Sequence, residues 1–190
     1  MKSLILFLFI AIAISPSSFA DIILSGKNVP DKIVVEKTTL LLNGTTFRKV
    51  SMFNVKVWLG ALYLENPATD ADAVISSKST KVIDLHALYD ISASDSVKGW
   101  KLAIDSNCQP ECQKLDAEIR KFYSSVPDFK KNSFYRYIFS NTGLQIFLEN
   151  KEIFKSTSPE FATVLLKTWI GKNPPSDVIK KELLKGSVKL

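Results

Sequence analysis

Arg48 opens a largely apolar stretch, RKVSMFNVKVWLGALYLE, that spans residues 48–65. A guanidinium group is charged at any pH that a cell reaches, so burying it beside an apolar strand is costly unless an anion or several acceptors meet it. Its fixed, planar set of donors can hold a carboxylate or stabilise an oxyanion that forms in an apolar pocket. A structural ion pair with an Asp or Glu of a neighbouring strand is the alternative, and charge and position alone favour that ion pair.

Trp58 lies in the same stretch and is the second candidate ligand-binding residue. Its indole N–H can donate a hydrogen bond, but it can neither accept one nor relay a proton. Such a side chain can help to hold an anion, whereas it cannot replace a catalytic hydroxyl. A tryptophan packed in the core is nearly as good an interpretation of the sequence.

The remaining polar residues predict neither a metal site nor a cofactor site. His86 is the single histidine of the chain, so no second imidazole is present to complete a metal site or a catalytic base, and we expect a core or rim histidine. The sequence contains no G-x-S-x-G, H-E-x-x-H or phosphate-cradling glycine loop. Conventional hydrolases, metalloenzymes and nucleotide-dependent enzymes are therefore disfavoured, and no cofactor is expected.

Cys108 and Cys112, in the segment NCQPEC, are the two cysteines of the chain. In an oxidising compartment they would form a local disulfide, because Pro110 interrupts the helix that would otherwise hold the thiols apart. A metal site and a redox pair are the alternatives, but the spacing is not C-x-x-C and no histidine lies nearby. We therefore predict a disulfide.

The first twenty residues have the pattern of a secretory signal peptide. Lys2 precedes an apolar run over residues 4–14, and Ser18, Phe19 and Ala20 form a small-x-small end, which predicts cleavage after Ala20. The run is too short for a stable transmembrane helix, and an uncleaved anchor is the alternative. We expect a periplasmic or secreted protein with one domain over residues 21–190 and no stable membrane span.

The basic charge of the chain is mild and dispersed. The formal net charge is +6, and the lysines are scattered rather than gathered into a run with interleaved aromatic residues. Nucleic-acid binding would require a denser basic stripe, so we expect no nucleic-acid partner. A solvated surface is the better interpretation, and weak attraction to anionic lipid is the minor alternative.

Hydrophobic patterns predict the elements that must position Arg48 and Trp58. Residues 55–64 alternate with apolar side chains on both faces, which indicates a strand covered on both sides, and Asn43-Gly44 predicts a turn before it. Further strands are predicted at 32–36, 39–42, 81–89, 134–139, 144–148 and 152–154. Helices are predicted at 70–76, after Ser92, around 115–126, from Ser158 to Gly171 and at 176–184. This order indicates an α+β fold with an antiparallel sheet.

Several segments in a fixed order resemble the bacterial chalcone isomerase-like family. They are LNGTTFRK, VKVWLGALYLE, VIDLHALYDIS, PDFKK and LLKTWIGKNPPSDVIKKELL, and the resemblance runs from about residue 30 to residue 185. It implies an open-faced β-sandwich, in which a large antiparallel sheet is layered with helices and a ligand pocket lies between them.

The resemblance also suggests what Arg48 does. In plant enzymes of this superfamily an arginine after a glycine-rich turn stabilises the charge that develops as a chalcone cyclises, and in non-catalytic fatty-acid-binding members it meets a carboxylate. Arg48 follows Asn43-Gly44 and matches that position. Trp58 stands where the family has a tyrosine, or in true isomerases a threonine, whose hydroxyl assists the arginine. With the resemblance, the ligand-binding interpretation of Arg48 is favoured over the ion pair.

A second departure from the isomerase pattern argues against catalysis. The other essential tyrosine of the isomerases belongs between two central helices, where this chain has SNCQPECQK at residues 106–114. We therefore expect an exported, non-catalytic protein that binds a small amphipathic carboxylate, such as a fatty acid, through Arg48 and Trp58. An isomerase or lyase for an enone-like substrate is one alternative, and an envelope protein with a filled pocket is another.

Overall fold

The computed structural model describes residues 21–50 and 53–186, so the predicted signal peptide at residues 1–20 lies outside the described residues. The strands are β1 (Ile22–Leu24), β2 (Lys27–Val29), β3 (Lys32–Val35), β4 (Thr38–Val50), β5 (Val55–Leu64), β6 (Lys81–Ala87), β7 (Phe134–Ser140), β8 (Gly143–Leu148) and β9 (Lys151–Ser156). The α-helices are α1 (Ala71–Ser76), α2 (Ala93–Asp105), α3 (Asp116–Ser125), α4 (Pro159–Ile170) and α5 (Asp177–Leu183).

Seven strands form one antiparallel sheet, which confirms the predicted α+β class. The spatial order from β3 to β9 follows the chain, and each strand pairs with the next one. The predicted hairpin at residues 134–148 is β7–β8, in which Ser140 pairs with Gly143 across the turn. β1 and β2 form a separate two-stranded sheet.

The alternation of β5 places apolar side chains on both faces of the sheet. Leu62 and Leu64 belong to the larger core, which the sheet forms with the helices. Leu59, Ala61 and Tyr63 belong to a smaller core on the opposite face, where they pack with Val29 of β2 and residues of β3 and β4. β5 is thus covered on both sides, as its pattern predicts.

The helix starts follow their sequence signals. The Ser92 hydroxyl accepts a hydrogen bond from the Asp95 N–H at the start of α2, and the Ser158 hydroxyl accepts one from the Phe161 N–H at the start of α4. Pro159 occupies the first turn of α4, where a backbone N–H would have no partner within the helix, so the absence of an N–H in proline costs no hydrogen bond. Among the described residues, the structure contains no helix with the length and apolar character required to cross a membrane.

The predicted turn at Asn43-Gly44 is wrong, because both residues lie inside β4. Leu42 pairs with Tyr63 and Gly44 with Leu62, so Asn43 is the extra residue of a β-bulge. Its buried amide donates to the carbonyls of Ala68 and Leu183 and accepts from the Ala68 N–H. A Cβ on Gly44 would collide with the backbone oxygen of Glu182. This pair therefore serves the packing of α5 on the sheet rather than a turn.

Candidate ligand-binding cavity

A cavity of about 330 Å³ lies between the helix-covered face of the sheet and helices α2, α3 and α4. Its apolar lining comes from strands and helices alike, including Leu85, Ile146, Ala103 and Phe122. Gly99 of α2 also lines it, and a Cβ added there would meet no atom within 4 Å. The volume lies at the lower end of the range for small-molecule sites, which is about 300–1,000 Å³.

Aromatic rings form one wall of the cavity. The three tryptophans of the chain, Trp58, Trp100 and Trp169, all line it. The Trp169 ring lies 5.3 Å from Trp58 and 5.7 Å from Trp100, both in edge-to-face contact, and 6.2 Å from Tyr137. The buried Trp169 Nε1 has no hydrogen-bond partner among the described residues. An N–H group can make a weak contact with the π face of a neighbouring aromatic ring.

Arg48 lies at the rim of this cavity, opposite Trp58 in the β4–β5 register. The next pair is Lys49 with Lys56, so Val57 is the extra residue of a second bulge. Directly paired residues point to the same face of a sheet, so both Arg48 and Trp58 face the cavity. The structure thus brings together the two residues that the sequence analysis singled out.

The guanidinium group of Arg48 has few partners. Its Nη1 donates to the Pro175 carbonyl at 3.4 Å, which is long for a hydrogen bond. None of the four ion pairs between described residues involves Arg48, so the alternative of a structural salt bridge finds no partner there. Arg48 is half-buried, and its guanidinium N–H groups are available to a ligand at the cavity rim.

Asp95 and Thr168, which also line the cavity, already have hydrogen-bond partners. Hydrogen bonds from the Lys98 ammonium and the Ser92 hydroxyl hold the pKa of the Asp95 carboxyl below its usual range. The buried Thr168 hydroxyl donates to the Leu165 carbonyl. Burial raises the pKa of the Tyr137 phenol, which therefore stays neutral near pH 7.

The model of the chalcone isomerase-like family matches residues 23–185. The chain belongs to the chalcone isomerase-like family. The crystal structure of a fatty-acid binding protein from Arabidopsis thaliana has the same fold, with a TM-score of 0.72 and 14% sequence identity over 87% of this chain and 96% of that chain. The comparison with curated proteins found no match. The predicted family and fold class are thereby confirmed.

Two other polar side chains of this chalcone isomerase-like protein, His86 and Tyr63, lie away from the cavity. His86 is half-buried beside the Phe134 ring on the opposite face of the sheet, and burial and the Lys27 charge lower its pKa. Tyr63 is buried on that face and donates to the Pro30 carbonyl at 3.1 Å. These placements agree with the expected rim position of the single histidine and leave it without contact to the cavity.

The segment between α2 and α3 holds the cysteine pair. Cys108 and Cys112 form a disulfide, and their Cα atoms are 5.0 Å apart. Cys108 is buried in the larger core, whereas Cys112 is partly buried against it. The disulfide lies just after α2, which is the helix that supplies Gly99 and Trp100 to the cavity.

The sequence analysis missed the cavity wall. Helical spacing shows which side of α2 and α4 is buried but not what that side faces, so it does not show that Trp100 and Trp169 line a cavity. Tyr137 alternates with Arg136 along β7, and this alternation was the available signal that its phenol points to the helix-covered face. Asp95 has the sequence signal of a residue in a helix cap, which gives no sign that it also lies at the cavity rim.

Proposed function

We propose that this protein is exported and that it binds a small amphipathic carboxylate, such as a fatty acid, in the cavity between sheet and helices. Arg48 holds the carboxylate at the rim, with help from the Trp58 indole N–H. The observation that carries this proposal is a guanidinium group with one long hydrogen bond to a described residue, at the mouth of an apolar cavity. A half-buried guanidinium group at the mouth of an apolar cavity is best explained by an anion that accepts hydrogen bonds from its N–H donors.

The residues that line the cavity wall favour a ligand with an apolar tail. Trp100, Trp169 and Phe122 offer broad ring surfaces, and the polar lining residues Asp95 and Thr168 already have hydrogen-bond partners. Removing apolar area from water contributes about 25 cal/mol per Å², so an alkyl chain in this space gains affinity with each methylene that it buries. The fold shared with the fatty-acid binding protein of Arabidopsis thaliana is consistent with this ligand class.

The alternative function, an isomerase or lyase with Arg48 as oxyanion stabiliser, needs a general base near the ligand. Among the described lining residues the carboxylate is Asp95, and its lowered pKa makes it a weak base. The raised pKa of Tyr137 keeps that phenol protonated. These shifts favour a binding protein over an enzyme.

The proposal is tested by calorimetric titration of dodecanoate into wild-type protein and into Arg48→Met and Lys49→Met variants. Losing one charge-assisted contact corresponds to about 1.5–3 kcal/mol, so Arg48→Met should weaken binding about tenfold to a hundredfold. Lys49 is the exposed next residue and serves as the matched control, whose loss should change affinity less than about threefold.

Dodecylamine, which has the same chain and the opposite charge, should not bind the wild-type protein measurably. Equal affinity of the two variants for dodecanoate, or tight binding of the amine, would contradict a carboxylate held by Arg48. Product analysis with a chalcone as substrate tests the enzyme alternative in the same protein samples.

A further inference from the structure

The end of the β4–β5 hairpin projects beyond the rest of the sheet. Past the Arg48–Trp58 pair the two strands continue through Lys49 with Lys56 and Val50 with Val55. β3 pairs with β4 only at residues 38–41, and β6 pairs with β5 only at residues 58–64. We call the five described residues Lys49, Val50, Phe53, Val55 and Lys56 the hairpin tip.

The hairpin tip exposes apolar side chains. Phe53 is 85% exposed, the largest value among the large hydrophobic residues described, and Val50 and Val55 are 41% and 37% exposed. Tyr89, 57% exposed, lies at the base of the tip, because the N–H of the preceding Leu88 donates to the Val57 carbonyl. Single exposed hydrophobic residues are ordinary, but three on the hairpin tip, with Tyr89 at its base, mark an interaction surface.

The charge on this projection is of one sign. Lys49 and Lys56 lie on the hairpin tip and Arg48 directly behind it, and residues 38–64 contain no Asp or Glu. The nearby rim carboxylate, Asp95, is already paired with Lys98. Exposed apolar side chains flanked by cations are the composition that anionic bilayers attract, since the cations meet headgroups while the apolar groups enter the acyl boundary.

The hairpin tip is continuous with the mouth of the cavity. Arg48 and Val50, which belong to the same strand end, both line the cavity. A bilayer in contact with the tip would therefore face the cavity opening. A poorly soluble acid could then pass between the two without crossing bulk water.

We propose that the hairpin tip docks on anionic lipid bilayers and positions the cavity mouth to exchange its ligand with the membrane. The docking stands on the exposure and charge of the tip alone, whereas the exchange rests on the function proposed above. A second copy of the chain is a poorer occupant, because two cationic tips brought face to face repel each other.

Vesicle co-sedimentation tests the docking. Wild-type protein is compared with Phe53→Ser, Lys49→Glu and, as matched control, Val34→Ser, in phosphatidylglycerol-rich and in pure phosphatidylcholine vesicles. Val34 is 63% exposed and pairs with Thr39 near the far end of β4. All proteins are prepared in the mature form that begins at Asp21, because the apolar run over residues 4–14 would itself bind vesicles.

We expect wild-type protein and Val34→Ser to bind the phosphatidylglycerol vesicles equally. Phe53→Ser should reduce partitioning about tenfold, because a Phe side chain leaves the apolar boundary. Lys49→Glu should reduce it at least fivefold, since each cation near an anionic surface contributes about 1 kcal/mol. Equal partitioning of Phe53→Ser and Val34→Ser, or equal binding to both vesicle types, would overturn the docking.

A second readout separates this inference from the proposed function. Dodecanoate affinity in vesicle-free solution should be unchanged in Phe53→Ser, while the rate of dodecanoate transfer from vesicles should fall with vesicle binding. A protein that binds the vesicles through its tip but takes up no dodecanoate would refute the proposed ligand and leave the docking standing. A transfer rate that is independent of Phe53 would refute the exchange.

Discussion

Two arginines on opposite faces of one sheet have contrasting surroundings. On the face away from the cavity, Arg136 binds Asp84 through two hydrogen bonds of 2.8 and 2.7 Å, and the Asp84 carboxyl is almost fully buried. On the cavity face, Arg48 has a single bond of 3.4 Å to a described residue, the Pro175 carbonyl. Both side chains are half-buried, so their different partners rather than their exposure separate them.

The difference teaches how a structural arginine and a candidate ligand-binding arginine can be told apart. Arg136 is paired in the geometry that suits its planar group, so it has no donor set to spare for a ligand. Arg48 lies beside open apolar space, where an anion can still reach it. Charge alone, which is the same for both, could not have distinguished them.

The largest expected effect on stability comes from breaking the ion pair between Arg136 and Asp84. Arg136→Met leaves the Asp84 carboxyl buried without its partner and should lower the free energy of unfolding by about 3 kcal/mol. Arg48→Met, which removes no such pair, should change that free energy by less than about 0.5 kcal/mol. Urea denaturation of both variants measures the difference.

Adding Asp84→Leu to Arg136→Met removes the stranded carboxyl and should recover much of the lost stability. Equal destabilisation by the two arginine substitutions would show that Arg48 is structural after all.

A smaller effect should follow from filling space on each face. Ala61 is fully buried in the core opposite the cavity, so Ala61→Leu should overpack that core and destabilise the protein by about 2 kcal/mol. Gly99→Leu fills the cavity instead, and replacing a helical glycine should leave stability unchanged or raise it by up to about 1 kcal/mol. Thermal unfolding of the two variants measures this contrast.

The same Gly99→Leu variant should bind dodecanoate at least tenfold more weakly, because the added side chain occupies the tail space. Lys101→Leu, at an exposed position of α2, is the control and should bind like wild-type protein. Unimpaired binding by Gly99→Leu would place the ligand outside this cavity.

The smallest effect concerns His86, whose folded pKa lies below its ordinary value because of burial and the Lys27 charge. The unfolded chain then binds more protons at mildly acidic pH, so the stability from this group is present above about pH 6.5 and is lost as the pH falls below that value. After solvent screening the loss should be under about 1 kcal/mol by pH 5.5.

His86→Gln should remove this part of the pH dependence, which is measured by urea denaturation at pH 7.0 and pH 5.5. Identical loss of stability in wild-type protein and variant would assign the acid sensitivity to carboxylates instead.

The sequence predicted those parts of the fold that depend on local chemistry. Alternation located β5, turn residues located the β7–β8 hairpin, and Ser92 and Ser158 marked the starts of α2 and α4. Each of these signals acts over a few residues, so tertiary packing had little room to override it.

The parts that were missed depend on distant contacts. Asn43-Gly44 has the composition of a turn, yet a helix about 140 residues later in the chain packs on it, and the pair forms a bulge within a strand. Strand alternation alone gives Arg136 no partner, whereas the β6–β7 register places it directly opposite Asp84. Likewise, only the folded arrangement of α2 and α4 shows that Trp100 and Trp169 share a cavity wall with Trp58.

The bonds of Asn43 also bear on the order in which the molecule assembles. Asn43 lies early in the chain, but one of its buried partners is the carbonyl of Leu183, at the end of α5. Contacts of such long sequence separation form late, because the loop that they close must first lose its conformational freedom. The strands around Asn43 can pair locally early in folding, but we expect their bulge to become fully hydrogen-bonded only once α5 has packed on the sheet.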